Sequence, residues 1–148
     1  MKITDITLYP VWAGHRNYLF VVVDTDDGIY GVGESGLTGR ELAVMGAIDH
    51  FRPLLIGEDP SRIEHIWQVL SRGGFFPHGK ILGSAIAAID IALWDIRGKA
   101  LGVPVYDLLG GRVRDKVVCY CHLSPGHTPG IDGLVENALV EAILESYR

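Results

Sequence analysis

The segment KILGSAIAAIDIALWDIRGKAL, residues 80–101, constrains this chain more than any other. Ile81, Leu82, Ala85, Ile86, Ile89, Ala92, Leu93 and Ile96 give it helical periodicity, and Gly102 follows as a stop. A surface helix buries one stripe, whereas this apolar surface is too broad for a half-buried helix. The segment therefore predicts a central helix with other elements packed around it. A chain of 148 residues, 48% apolar and 21% charged, has the material for one such core.

The segments before it supply the packing partners. Residues 2–11 read as a strand with Thr4, Ile6 and Leu8 on one face. Residues 12–17 read as a loop. YLFVVVD (18–24) is a β-branched strand, Asp26-Asp27-Gly28 is a turn, and 29–34 returns as a third strand, giving an antiparallel hairpin or meander. Thr38 and Glu41 have capping-box spacing before Leu42, Met45, Ile48 and Phe51, and Pro53 is expected to close that helix. Asp59-Pro60 reads as a cap with proline at the first helical position. Ile63, Ile66, Trp67 and Leu70 then form an amphipathic stripe ended by Gly73-Gly74.

After residue 101 the pattern changes. Residues 104–109 suit one helical turn, and Gly110-Gly111 marks a boundary, dividing the chain into 1–111 and 112–148. Val117 to His122 reads as a strand and 134–147 as a helix. One strand and one helix resemble the first βα unit of a parallel sheet, and a full barrel takes about 250 residues. The expectation is a truncated chain, or a tail packed on its own first domain or on another copy.

Net charge is −5 with no basic stripe, which argues against nucleic acid and anionic membranes as partners. No apolar run reaches membrane-span length, and no charged-then-apolar leader opens the chain, so the expected location is cytoplasmic. Two cysteines, Cys119 and Cys121, read as reduced thiols.

Several motifs carry chemistry in other settings. Gly31-x-Gly33-x-x-Gly36 matches a dinucleotide fingerprint, but a hairpin precedes it and no helix opens inside it. The pattern is better read as a glycine-rich strand that lets backbones approach closely. Cys119, Cys121, His122 and His127 lack zinc-site spacing, and neighbouring strand residues diverge. Asp90 and Asp95 lie about 140° apart around a helix and do not converge. Asp95 has Lys99 at i+4, and Asp90 is expected to find a cap or a cation across the domain. Trp12, His15, Arg16 and Asn17 form a loop of aromatic and hydrogen-bonding groups suited to closing over an acidic polar ligand; a plain solvent loop is the alternative. The segment 72–79, RGGFFPHG, has the same two readings.

Taken together, MKITDITLYPV, DTDDGIYGVGE, LIGEDPSRIEHIWQVLSRGGFF and especially SAIAAIDIALWDIRGKALGVPVYDLLGG with RVRDKV resemble the mandelate racemase and muconate lactonizing branch of the enolase superfamily. The likeness runs to about His122. Its most specific part is IDIALWDIRGKALGVPVYDLLGG, and DPSRIEHIWQVLSRGGFF looks most like galactonate-dehydratase-type enzymes. The resemblance implies an α+β cap, with three antiparallel strands and a helical bundle, followed by the first βα unit of an incomplete (β/α) barrel. It implies a Mg²⁺-dependent sugar-acid dehydratase, in which a base removes the proton next to a carboxylate and an acid assists loss of a hydroxyl.

It further implies two cap loops that set specificity, matching 12–18 and 33–39. Trp12, His15, Arg16, Asn17, Ser35 and Thr38 become candidate substrate-binding residues. Metal ligands and acid–base residues are expected beyond residue 148, so this chain inherits no catalytic, cofactor or metal residue and is expected to bind no Mg²⁺ alone. A homo-oligomer is expected. The alternatives are a non-catalytic assembly module that keeps the cap fold, or a racemase or cycloisomerase of the same superfamily.

Overall fold

The computed structural model describes residues 1–14 and 16–119. The chain divides into two compact units, Met1–Arg112 and Val113–Arg148. The first unit is α+β. Strands β1 (Ile3–Trp12), β2 (Asn17–Thr25) and β3 (Tyr30–Ser35) form an antiparallel sheet in the order β1-β2-β3. Helices α1 (Glu41–Leu55), α2 (Ile63–Arg72), α3 (Lys80–Leu101) and α4 (Val105–Leu108) follow. No helix among the described residues is long and apolar enough to cross a membrane.

The helix expected at 80–101 forms with those bounds and is central. It buries Ala85, Ile86, Ala88, Ile89, Ala92, Leu93 and Ile96 and packs on β2, β3, α1, α2 and α4. Ile81, expected on the buried surface, is exposed instead; burial on α3 begins only at Ala85. Gly102 ends the helix in the left-handed region at φ 68°. Its N–H donates to the Lys99 carbonyl and the Val103 N–H to the Gly98 carbonyl, at 3.2 and 3.0 Å. These are the two bonds of a Schellman stop.

The sheet meets α3 through glycine. On β2, Leu19, Val21 and Val23 point inward, and their partners on β3 are Ser35, Gly33 and Gly31. A β-carbon on Gly31 would fall on the Ala92 carbonyl, and one on Gly33 on the Ala88 carbonyl. The G-x-G pattern is therefore a seat for a helix backbone. The outer edge of β3 is closed by the same helix. The Val32 N–H donates to Asp95 Oδ2 at 2.9 Å, and Lys99 Nζ donates to the Tyr30 carbonyl at 2.7 Å and to Asp95 at 2.8 Å. An edge satisfied in this way is no longer a template for another strand.

Several local expectations are corrected. Thr4 is exposed, because the register shifts between Ile3 and Asp5 and leaves it outside the ladder. Such a bulge breaks the two-residue period, so Ile3 and Ile6 both reach the core. Trp12 and Asn17 are the last cross-strand pair of the β1–β2 hairpin, and the loop shrinks to residues 13–16. Helix α1 begins at Glu41 with Arg40 as an uncapped N-cap. Gly39, at φ 78°, turns the chain after Thr38, and Glu41 takes the Gly39 N–H at 2.7 Å. Leu42 is 81% exposed; the buried set is Val44, Ala47, Ile48, Phe51 and Leu55, which follows the true helical period. The helix also continues through Pro53 to Leu55, although Pro53 has no N–H to give the Asp49 carbonyl.

Helix α2 likewise starts later than Asp59-Pro60 suggests. Asp59 accepts the Ser61 N–H at 2.9 Å and caps the preceding turn. That bond holds its carboxyl below the ordinary aspartate range. Ile63, Ile66 and Leu70 are buried and Trp67 packs against the core, as their spacing predicts. Residues 117–119 form no strand. The rest of the expected strand to His122, the helix at 134–147, and Cys121, His122 and His127 lie outside the described residues.

Placing a methyl group at Gly33 should push β3 off α3. Gly33→Ala is expected to cost about 1–3 kcal/mol or more, lowering the thermal midpoint by roughly 4–8 °C per kcal/mol for a domain of this size. Gly46→Ala, on an exposed face of α1 with open space around it, should instead stabilise by about 0.5–1 kcal/mol. Equal midpoints for the two variants would contradict the packing described here.

Candidate functional site

Antiparallel order puts the end of β1, the start of β2 and the end of β3 at one end of the sheet. The turn at 13–16 and the segment 36–40 both leave from that end. The first turn of α3 lies beside the second of these: an open groove is lined by Gly36 and Leu37 on one side and His78, Gly79, Lys80, Gly83 and Ser84 on the other.

The 13–16 turn is closed by the Ala13 N–H donating to the Arg16 carbonyl at 3.0 Å, with Gly14 at φ 86°. Cross-strand register places Trp12 and Asn17 on the same face as Leu19, which is the helix side of the sheet. Trp12 nevertheless stays 64% exposed. Arg16 lies elsewhere: its guanidinium carbon sits 4.4 Å from the Tyr18 ring centre, and Tyr18 is on the opposite face from Asn17. The structure thus groups Trp12 with Asn17 and Arg16 with Tyr18. His15 lies outside the described residues.

Ser35 and Thr38 differ in the same way. Ser35 is 6% exposed, and its hydroxyl is 2.8 Å from that of Ser84 on α3. Thr38 is exposed, with its N–H on the Gly36 carbonyl at 3.3 Å. Sequence reasoning did not single out Leu37, Lys80 or Ser84, which the fold brings to this end. The signals were the loop 33–39, which contains Leu37, and the loop 72–79, whose His78 lines the groove. Phe75 and Phe76 in that loop are almost wholly exposed and pack edge to face at 5.3 Å.

The acids on α3 have separate roles. Asp95 pairs with Lys99, as its i+4 spacing predicts, and also holds β3. Asp90 has no salt bridge among the described residues, contrary to the expectation of a cap or cation. Burial pushes its carboxyl above the usual aspartate range; a hydrogen bond from Trp94 works in the opposite direction, and nearby Glu64 adds to the rise. Among the described residues no three His, Cys, Asp or Glu side chains gather as a metal cluster.

Because the folded state raises the Asp90 pKa, it favours the protonated form. The resulting stability is full below the unfolded-state pKa and is lost as pH rises through the folded value. Asp90→Asn should therefore melt higher than wild type at pH 7, with the gap closing as pH falls through the carboxylate range. A gap independent of pH, or an Asn variant that melts lower at pH 7, would contradict this account of Asp90.

Residues 11–110 match the family described as mandelate racemase / muconate lactonizing enzyme, N-terminal domain. A D-galactonate dehydratase of Pectobacterium atrosepticum is 55% identical over 123 residues, covering 81% of this chain and 31% of the relative. A D-mannonate dehydratase of Novosphingobium aromaticivorans is 46% identical over 133 residues, covering 89% and 32%. An enolase from Pantoea ananatis, solved with bound D-gluconate and Mg, superposes with a TM-score of 0.73 at 43% identity, covering 77% of this chain and 28% of that one. An enolase from Agrobacterium radiobacter with Na and L-malate gives a TM-score of 0.74 at 41% identity, covering 79% and 30%. The chain spans about a third of the length of these relatives. Its three-stranded sheet and helices are the cap fold of the enolase superfamily, and the chain belongs to the mandelate racemase and muconate lactonizing enzyme family, with galactonate-dehydratase-like sequence.

Proposed function

We propose that this chain is the substrate-capping part of a sugar-acid dehydratase, which removes the proton next to a carboxylate and expels a hydroxyl as water. The observation that carries the reading is the convergence of the 13–16 turn and the 36–40 segment at one end of a rigid sheet. There the turn, the first residue of β2 and the segment present exposed hydrogen-bonding groups on Arg16, Asn17 and Thr38. A polyhydroxy carboxylate needs a cation and many such partners. Trp12 supplies a stiff apolar wall that excludes water once the loop closes. Arg16 reaches the ligand by leaving its perch on Tyr18. Ser35, bonded to Ser84, serves by fixing the end of β3 against α3, so that Thr38 stands on a firm base.

In this reading residues 1–111 are the cap and 112–148 begin a barrel. Mg²⁺, when bound, would stabilise the negative charge left by proton removal. The described residues do not fit that ion. Asp95 is engaged by Lys99 and the Val32 N–H, and Asp90 and Glu64 bring no third ligand. This reading assigns the metal and acid–base roles to residues outside the described ones. A cytoplasmic homo-oligomer completes the proposal.

The test is kinetic and uses the full-length protein that carries this domain. Wild type should dehydrate sugar acids; racemisation, cycloisomerisation or no turnover would contradict the reading. Arg16→Ala should lose about 2–4 kcal/mol in kcat/KM, as when one partner of a buried charge pair is truncated. Its thermal midpoint should hardly move, since an exposed charge adds little to folding. Trp12→Ala should reorder the preference among a panel of sugar acids. Wild-type efficiency and ranking in both variants would make these residues ordinary surface.

A further inference from the structure

Asp90 is a carboxylate that the fold half-buries without supplying a cation. It lies midway along α3, in a notch whose other walls are Ile63, Glu64 and Trp67 of α2 and Trp94 of α3. The surrounding charges are committed elsewhere. Lys99 is on Asp95 at 2.8 Å, the Gln68 amide donates to Glu64 at 3.2 Å, and the Arg72 guanidinium lies 5.6 Å from the Trp67 ring centre. Arg97, two turns along α3 from Asp90, makes no salt bridge to it.

We propose that the notch between α2 and α3 binds an arginine side chain of a partner polypeptide, with its guanidinium on Asp90 and between the Trp67 and Trp94 indoles. Three features select that group. Aromatic walls attract a cation and exclude an anion. A planar, weakly hydrated guanidinium tolerates partial burial beside indole better than an ammonium does, and its fork of donors matches a carboxylate. A cation there also relieves the repulsion between Asp90 and Glu64, the effect that, after burial, raises the Asp90 pKa. The notch is open at the surface, so a side-chain head presented by another chain can enter it. The net charge of −5 favours a basic partner. The inference does not depend on the enzymatic proposal.

The test uses this 148-residue chain and N-acetyl-L-argininamide as probe, followed by the indole N–H resonances of its three tryptophans. Trp67 and Trp94 should shift saturably while Trp12 stays fixed. The neutral isostere N-acetyl-L-citrullinamide should leave all three unmoved. Asp90→Asn should weaken binding by about tenfold or more. Burial raises the Asp90 pKa, so this variant is expected to melt no lower than wild type at pH 7, and its melt, recorded beside the titration, separates lost binding from lost fold. Trp67→Leu, which removes one aromatic wall, should also weaken binding. Equal shifts with citrullinamide, equal affinity for tetramethylammonium, no saturable shift, or wild-type affinity in Asp90→Asn would each overturn the proposal.

Discussion

Two glycines let the carbonyls of Ala92 and Ala88 stand where β-carbons of β3 would otherwise be. This contact brings the backbone of β3 against that of α3, closer than any pair of side chains allows. The consequences spread outward. With β3 pressed on the helix, Asp95 and Lys99 reach its free edge, and β2 presents Leu19, Val21 and Val23 to the same core. The remaining helices then cover what α3 leaves open: α1 with Ile48 and Phe51, α2 with Ile63, Ile66 and Leu70.

The same contact positions the candidate site. Ser35 closes β3 by bonding to Ser84 one turn into α3, so the segment 36–40 leaves from a fixed point. The 13–16 turn is carried by a strand that pairs with β2 without a break from Asp5 to Trp12. Loops that select a ligand work best on a rigid scaffold. Here one helix fixes the exit of one loop directly and that of the other through the sheet. Arg16, over Tyr18, and Trp12 are the exposed side chains on that frame.

Much of the scaffold was legible in the sequence because its signals are local and strong. The breadth of apolar residues at 80–101 gave the central helix, Gly102 gave its end, and DDG between β-branched runs gave the hairpin. The missing helix inside G-x-G-x-x-G pointed to close packing in place of a nucleotide. Failures came where tertiary geometry overrides a local pattern. Nothing near Thr4 announces a bulge, and Thr38 at capping-box spacing is bypassed because Gly39 turns the chain first. The site was less legible. Residue type suggested Arg16 and Asn17 together, yet strand alternation sends their partners to opposite faces of the sheet. Ser84, more than forty residues from Ser35, becomes its partner only in three dimensions. Asp90 looked like an ordinary helix acid needing a cation, and the fold gave it indoles and a second acid.

If the β3–α3 contact organises the domain, β3 cannot open without the whole core opening. Native-state hydrogen exchange across a denaturant series measures this directly. The amides of Gly31, Val32 and Gly33 should exchange with the same free energy and the same denaturant slope as those of Ala88 and Ala92 in the middle of α3, both equal to global unfolding. Exchange of the three β3 amides at a much lower free energy and a shallow slope, while the α3 amides stay protected, would show β3 to be a peripheral strand and contradict the account.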